Sequence, residues 1–408
     1  MHGFVRFELY SLGTHLTKKH ICTAGVLFLL DISRILWYNK HIEIFSEVRK
    51  NNMTVRLVCD LPPSENNPRN SEGAFLRAPS GEILFAYSAY TGTNGNDHAA
   101  CNIKMIRSFD EGESWTQPEM IATAAFFGTE NVMSVSALTL TDGALAFYFL
   151  IKENDGTSTL GRTVSRDGGK TFTPERTVWD VPSAYYVINN DRLVRISDGR
   201  IIAPAAYYPA YKTKYGIYNP AITVLLISDD DGVTFRMHPN ARLASSDHIN
   251  LHYGLQEPGI IELSKDVFWL WMRTGASYQY QSFSVDGLLS FTFPEPSIFT
   301  SPNSPMQIVR YDADTLYAIY NPVPNYNGRD KTKWGWGRTP IVIRKSTDNG
   351  KTFGEINIIE DGDRGFCYPG VFFTADGSML CAYCRGGEED GACLFRLGIA
   401  KFALDDIQ

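Results

Sequence analysis

The chain has 408 residues and a formal net charge of −7, with 38 Lys and Arg against 45 Asp and Glu. That mildly acidic balance excludes a dedicated nucleic-acid surface, which needs an excess of positive charge. Its seven cysteines, an odd number without regular spacing, argue against a complete disulfide framework and favour a reduced, cytoplasmic compartment over a secreted or periplasmic one.

Residues 1–52 differ from the remainder, with scattered His and Lys and an apolar run at 21–30. The run is too short to span a bilayer and is followed at once by Asp31 and Arg34, so no stable membrane span is expected. The segment is compatible with a secretory signal, an added helix, or an upstream extension with Met53 as the initiator. From residue 53 onward the apolar stretches are short, as at 81–87 and 267–271, and are bounded by Gly, Asp and Pro, which reads as strands. Heptads, charge runs and low-complexity tracts are absent from the sequence.

Five copies of Ser/Thr-x-Asp-x-Gly-x-Thr/Ser-Trp/Phe occupy 108–115, 165–172, 228–235, 284–291 and 346–353. The period, about 60 residues, suits one four-stranded sheet per unit and is too long for a helical hairpin repeat. Each copy describes a folded turn in which the Asp accepts from turn N–H groups and the downstream hydroxyl, while the aromatic packs between neighbouring sheets. In the fourth copy Leu288 stands where Gly is expected, which predicts a distorted turn. Counted by this period, residues 53–408 make one closed β-propeller. Cys381 and Cys384 have zinc or redox spacing, but no second such pair exists; in a strand the two face opposite sides of the sheet, as core packing requires. The His residues lack metal-ligand spacing, and no metal or other cofactor is expected.

With these boxes and Tyr368 late in the chain, the sequence resembles the sialidase (neuraminidase) superfamily, and in particular the microbial BNR/Asp-box repeat proteins, from about residue 65 to the end. The resemblance implies an all-β, six-bladed propeller with the site on its central axis, opposite the boxes, and closure through pairing of the terminal strands. It implies a glycan substrate and a tyrosine nucleophile. A neutral phenol avoids the repulsion that an anion would meet near the carboxylate of sialic acid, and it needs a nearby Glu to activate it.

Carried onto this chain, the nucleophile is Tyr368 in Phe366-Cys367-Tyr368-Pro369, its activating base is Glu257, and the acid/base is Asp97, with His98 beside it to tune it or bind substrate. Arg273, ending an apolar strand, and Arg338, behind the loop Trp334-Gly335-Trp336-Gly337, match two of the three carboxylate-binding arginines. The first arginine of the triad is replaced by Glu72. Either Arg69 supplies the charge from three residues upstream, or Glu72 bonds a neutral hydroxyl of a different sugar. Polar clusters further suggest Asn131, Asp191, Arg192 and Gln307 as substrate contacts. The alternatives are a propeller polysaccharide lyase using Tyr368 or His252 as base, and a carbohydrate-binding propeller without catalysis.

Overall fold

The computed structural model describes residues 53–209, 220–245, 253–323 and 334–408. The readings at 1–52 and at His252 lie outside them. Among the described residues the chain is all-β, with helix confined to short 3-10 turns at Ala124–Phe127, Glu388–Asp390 and Leu404–Asp406. No helix among them is long and apolar enough to cross a membrane, and no cluster of His, Cys, Asp and Glu is placed to hold a metal.

The strands follow one another as antiparallel meanders in a propeller-like arrangement of sheets. Gln256–Ser264, Val267–Arg273, Tyr278–Ser284 and Glu295–Thr300 form one four-stranded sheet, and Gln307–Arg310, Leu316–Tyr320, Ile341–Ser346 and Asn357–Glu360 form the next. An eight-stranded sheet holds two further meanders, beginning at Asn70–Arg77 and Asn131–Thr139, which meet through one parallel bridge between Cys101 and Asn131. A six-stranded sheet is built on Tyr185–Val187, Val194–Arg195, Ile201–Tyr208, Ile222–Ser228 and Thr234–Leu243, with Val178–Asp180 on its far edge. In the last sheet Cys367–Phe373, Ser378–Cys384 and Leu397–Ala403 are joined by the N-terminal strand Arg56–Leu61, with Arg56 opposite Lys401 and Leu61 opposite Leu397. Pairing of the first and last described strands in one sheet is the closure that the family resemblance implies.

Each box begins at the last residue of a strand: Ser108, Ser165, Ser228, Ser284 and Ser346. In the first, Asp110 accepts from the Ser114 N–H at 2.8 Å and the Ser114 hydroxyl at 2.5 Å, while Ser108 Oγ accepts from the Gly112 N–H at 2.8 Å. The fourth box is not distorted, contrary to the expectation from its sequence. Leu288 takes φ 74°, beside 85° at Gly112 and 84° at Gly350, and its N–H reaches Ser284 Oγ at 3.0 Å. Burial of the Leu288 side chain in the core of Phe268, Leu270 and Met272 offsets the left-handed strain. The box aromatics do pack between sheets: Phe353 lies 6.2 Å from Trp269 of the preceding sheet, and Phe235 lies 6.1 Å from Tyr148. Cys381 and Cys384 point into different apolar clusters, one on each face of their strand.

The meander also fixes where chemistry can sit. The start of each first strand lies opposite the end of the second, as Gln256 does to Arg273 and Cys367 to Cys384. A box at the end of the third strand is therefore at the other end of the sheet. With strands of 7 to 9 residues, that separation is roughly 20–30 Å.

Candidate active site

The first strands share a local device. Glu72, Ser134, Glu257 and Tyr368 each take a left-handed backbone, with φ of 55°, 62°, 41° and 59°. Each sits at a break in register with its neighbouring strand, between Ser71 and Ala74, Met133 and Ser136, Gln256 and Gly259, and Cys367 and Gly370. A bulge of this kind inserts one residue and re-aims the side chain, here at equivalent places in four meanders.

Tyr368 and Glu257 meet through it. The Tyr368 hydroxyl donates to Glu257 Oε1 at 3.0 Å, and Arg273 Nη1 donates to both Glu257 oxygens at 2.8 and 2.7 Å and to the Tyr368 oxygen at 3.3 Å. All three are nearly buried, and Arg273 Nε is held by Asn303 Oδ1 at 2.6 Å. Burial and the negative field of Glu257 push the Tyr368 hydroxyl well above its ordinary value, against the pull of Arg273 and Arg338, so the phenol is neutral at rest. Arg338 lies 5.8 Å from the Tyr368 ring and 5.1 Å from that of Trp336, and donates to Cys367 Sγ at 3.2 Å and to the Asn303 carbonyl at 2.9 Å. Burial opposes a thiolate at Cys367, yet donation from Cys384 and Cys393, together with Arg338, outweighs it and draws that thiol well down.

On the other side, Arg69 gathers two carboxyl groups. Its Nη1 bonds Asp97 Oδ1 at 2.5 Å, its Nε bonds Ser71 Oγ at 3.0 Å, and its Nη2 lies 3.5 Å from Glu72 Oε2. The guanidinium is only 1% exposed and stacks 4.5 Å from the Tyr90 ring, so the arrangement turns it away from solvent. Surrounding protein opposes ionisation of Asp97, but the field and hydrogen bond of Arg69 prevail and hold it down to about 2. Burial has the opposite result at Glu72, where it outweighs Arg69 and, helped by Asp97 and Glu257, pushes the carboxyl up to about 7. Asn131 donates to the backbone oxygens of Asp97 and Ala99 at 3.2 and 2.5 Å, and His98 is placed 3.9 Å from Asp155 and 6.0 Å from the Tyr185 ring.

Asp191, Arg192 and Gln307 are brought together, but with each other and with backbone. The segment between Tyr185–Val187 and Val194–Arg195 leaves its sheet and ties the first strands together. Asn190 Nδ2 donates to the carbonyls of Gly73 and Tyr368 at 3.0 and 3.2 Å, and the Val371 N–H donates to Asp191 Oδ2 at 3.1 Å. Gln307 donates to the Asp191 carbonyl at 2.7 Å, while Arg192 donates to Gln307 Oε1 and, at 2.5 Å, to the Met306 carbonyl. Asp191 also has a left-handed backbone, φ 56°.

Three participants escape the sequence reading. Lys152 is buried, donates to the Asp97 carbonyl, and lies 5.9 Å from the Tyr185 ring; a Lys at the end of an apolar strand is the same signal that marked Arg273. Asn190 lay inside a recognised polar cluster, but the cluster does not reveal which side chain crosses to which strand. Asn303 carries no sequence signal, because its role comes from the proximity of two arginines distant in the chain.

No curated protein sequence matches the chain. Among solved structures, a protein of unknown function from Dyadobacter fermentans aligns over 86% of this chain and 99% of its own, with 19% identity and a TM-score of 0.64. A Hadza microbial sialidase aligns over 83% of this chain and 66% of its own at 16% identity and TM-score 0.64. The sialidase of Trypanosoma rangeli aligns over 88% of this chain and 60% of its own at 12% identity and TM-score 0.63. The chain thus spans less than two thirds of either sialidase, and at these identities the likeness is one of fold. The model of the BNR repeat-like domain matches residues 81–381, most of the chain from the first sheet to the last, and the protein belongs to that family.

Proposed function

We propose that residues 53–408 form a six-bladed propeller, counting the eight-stranded sheet as two blades, and that it is a retaining exo-glycosidase of sialidase type acting on a terminal acidic sugar of a glycan. The observation that carries the reading is the Tyr368 hydroxyl bonded at 3.0 Å to Glu257, with Arg273 against both. A buried phenol with a carboxylate acceptor has the arrangement of a nucleophile beside its base. As the phenol attacks the anomeric carbon its proton passes to Glu257, and Arg273 stabilises the charge on both oxygens. Among the described residues Arg273 Nη2 makes no hydrogen bond, which leaves a donor for a sugar carboxylate, and Arg338 lies between the rings of Trp336 and Tyr368 at 5.1 and 5.8 Å. Protonation of the leaving oxygen falls to a carboxyl group on the Arg69 side, where Asp97 and Glu72 stand.

The fold neighbours include enzymes described as sialidases, one of them, from Trypanosoma rangeli, solved with sialic acid. The test is hydrolysis of an aryl sialoside and a panel of other aryl glycosides by wild type and Tyr368→Phe. Release of aryl alcohol by wild type and a loss of at least a thousandfold in the variant are expected (about 10³ or more, given the size of nucleophile effects). Equal turnover by both proteins would remove Tyr368 as nucleophile, and an unsaturated, ultraviolet-absorbing product would mark elimination instead of hydrolysis.

A further inference from the structure

The fold treats the two carboxyl groups beside Arg69 in opposite ways. Asp97 belongs to the exposed loop between Ile83–Tyr90 and Cys101–Ser108, where its side chain is 60% exposed. Its carboxylate is bonded to Arg69 at 2.5 Å, and its backbone oxygen accepts from both Asn131 and Lys152. Glu72 is 4% exposed and sits on a first strand, at the bulge position that Glu257 and Tyr368 occupy on theirs. Its strand is tied to that of Tyr368 through Asn190, which bonds the Gly73 and Tyr368 carbonyls together. Glu72 Oε2 is buried without a hydrogen bond, and so is the facing Arg69 Nη2, 3.5 Å away. A buried carboxylate would draw that guanidinium to bonding distance; a carboxylic acid has no such demand.

On the glycosidase reading above, we infer that Glu72 is the general acid that protonates the leaving oxygen, and that Asp97 is a fixed anion positioning Arg69. The charged groups whose fields reach Glu72 are Arg69, Asp97, Glu257 and Lys152, and burial among them keeps its proton up to about pH 7. The steps balance. Tyr368 Oη bonds to the anomeric carbon as its proton moves to Glu257; the glycosidic C–O bond breaks and the leaving oxygen takes the proton of Glu72. The Glu72 carboxylate then takes a proton from water as that water bonds to the anomeric carbon. The bond to Tyr368 breaks, and the phenolate regains its proton from Glu257.

The test pairs Glu72→Gln with Asp97→Asn on glycosides of one sugar bearing 4-nitrophenyl, phenyl and methyl leaving groups. A nitrophenolate departs without a proton and a methoxide does not. In kcat/KM, which reports the steps up to departure of the leaving group, Glu72→Gln is therefore expected to lose about 10²- to 10⁴-fold on the methyl glycoside and far less on the nitrophenyl one, and Asp97→Asn to lose similar factors on all three. In parallel, ¹³C NMR of protein labelled at the Glu side-chain carboxyls should show one resonance titrating near neutrality that is absent in Glu72→Gln. A uniform loss in kcat/KM for Glu72→Gln, a leaving-group-selective loss in kcat/KM for Asp97→Asn, or no such resonance overturns the assignment while leaving Tyr368 in place. Inactivity of wild type on the whole panel overturns the glycosidase reading and this assignment with it.

Discussion

Glu72→Gln also has a consequence for stability that requires no substrate. The ordinary carboxyl value of 4.5 applies in the unfolded chain, whereas burial raises it to about 7 in the folded protein. Below about pH 4.5 both states hold the proton, and the group contributes nothing. As pH rises from there to about 7 the unfolded chain releases a proton that the folded protein keeps, so stability falls, by up to ~1.4 kcal/mol per pH unit. Above that range the full penalty, about 3 kcal/mol, is present. Gln has nearly the shape of the protonated acid and cannot ionise. Urea denaturation of wild type and Glu72→Gln from pH 4.5 to 8 should show nearly equal stability at the acid end and a variant more stable by about 3 kcal/mol at the alkaline end. The other titrating groups are common to both proteins and largely cancel in the difference. A difference that stays flat with pH, or a variant that is the less stable at pH 8, would refute the claim that Glu72 is buried with its proton.

Two further changes test the frame around the site. Leu288→Gly relieves a left-handed strain of roughly 1–2 kcal/mol but removes a fully buried side chain worth about 3–5 kcal/mol; a net loss of about 2 kcal/mol in urea denaturation is expected, and a gain would mean that the box prefers Gly despite its core. Asn190→Ala leaves the carbonyls of Gly73 and Tyr368 without their donor, so a loss of about 2–4 kcal/mol is expected. If Asn190 positions Tyr368, kcat on the aryl glycoside should fall at least about tenfold with KM little changed, since such positioning acts on the geometry of attack.

The boxes were legible because their chemistry is local: a Ser, an Asp two residues on and a residue with positive φ lie within one turn, and the sequence states all three. The Leu288 turn was misjudged because what permits it is not local, namely the apolar core that receives its side chain. Glu257, Arg273, Arg338 and Tyr368 could be counted from the boxes, and the fold does gather them. The partners of Arg69 could not be read in the same way, because Glu72 lies three residues away and Asp97 lies in the next loop, and only the burial of each decides which carries charge. The cluster at 189–192 was recognised as unusual for a strand. Its direction was hidden because a segment that leaves its sheet has no periodicity to orient it.

Left-handed backbone at a non-glycine residue costs on the order of 1–3 kcal/mol and persists only where the surroundings enforce it. Here it recurs at Glu72, Ser134, Glu257 and Tyr368, always at the bulge of a first strand. Recurrence in four meanders shows that the conformation belongs to the blade architecture and not to any one side chain. The architecture therefore provides equivalent, already strained positions, and what each contributes depends on the residue placed there: a phenol, the carboxyl group it bonds, a hydroxyl and a buried carboxyl. At Asp191 the same φ serves a different end, since the segment has left its sheet and its carboxylate accepts from Val371 across the first strands. Because the strain is set by the backbone, exchanging the side chain at position 72 changes the chemistry at that position without rebuilding the sheet. That explains how Glu can stand where a carboxylate-binding Arg was expected while the Tyr368, Glu257 and Arg273 constellation remains intact.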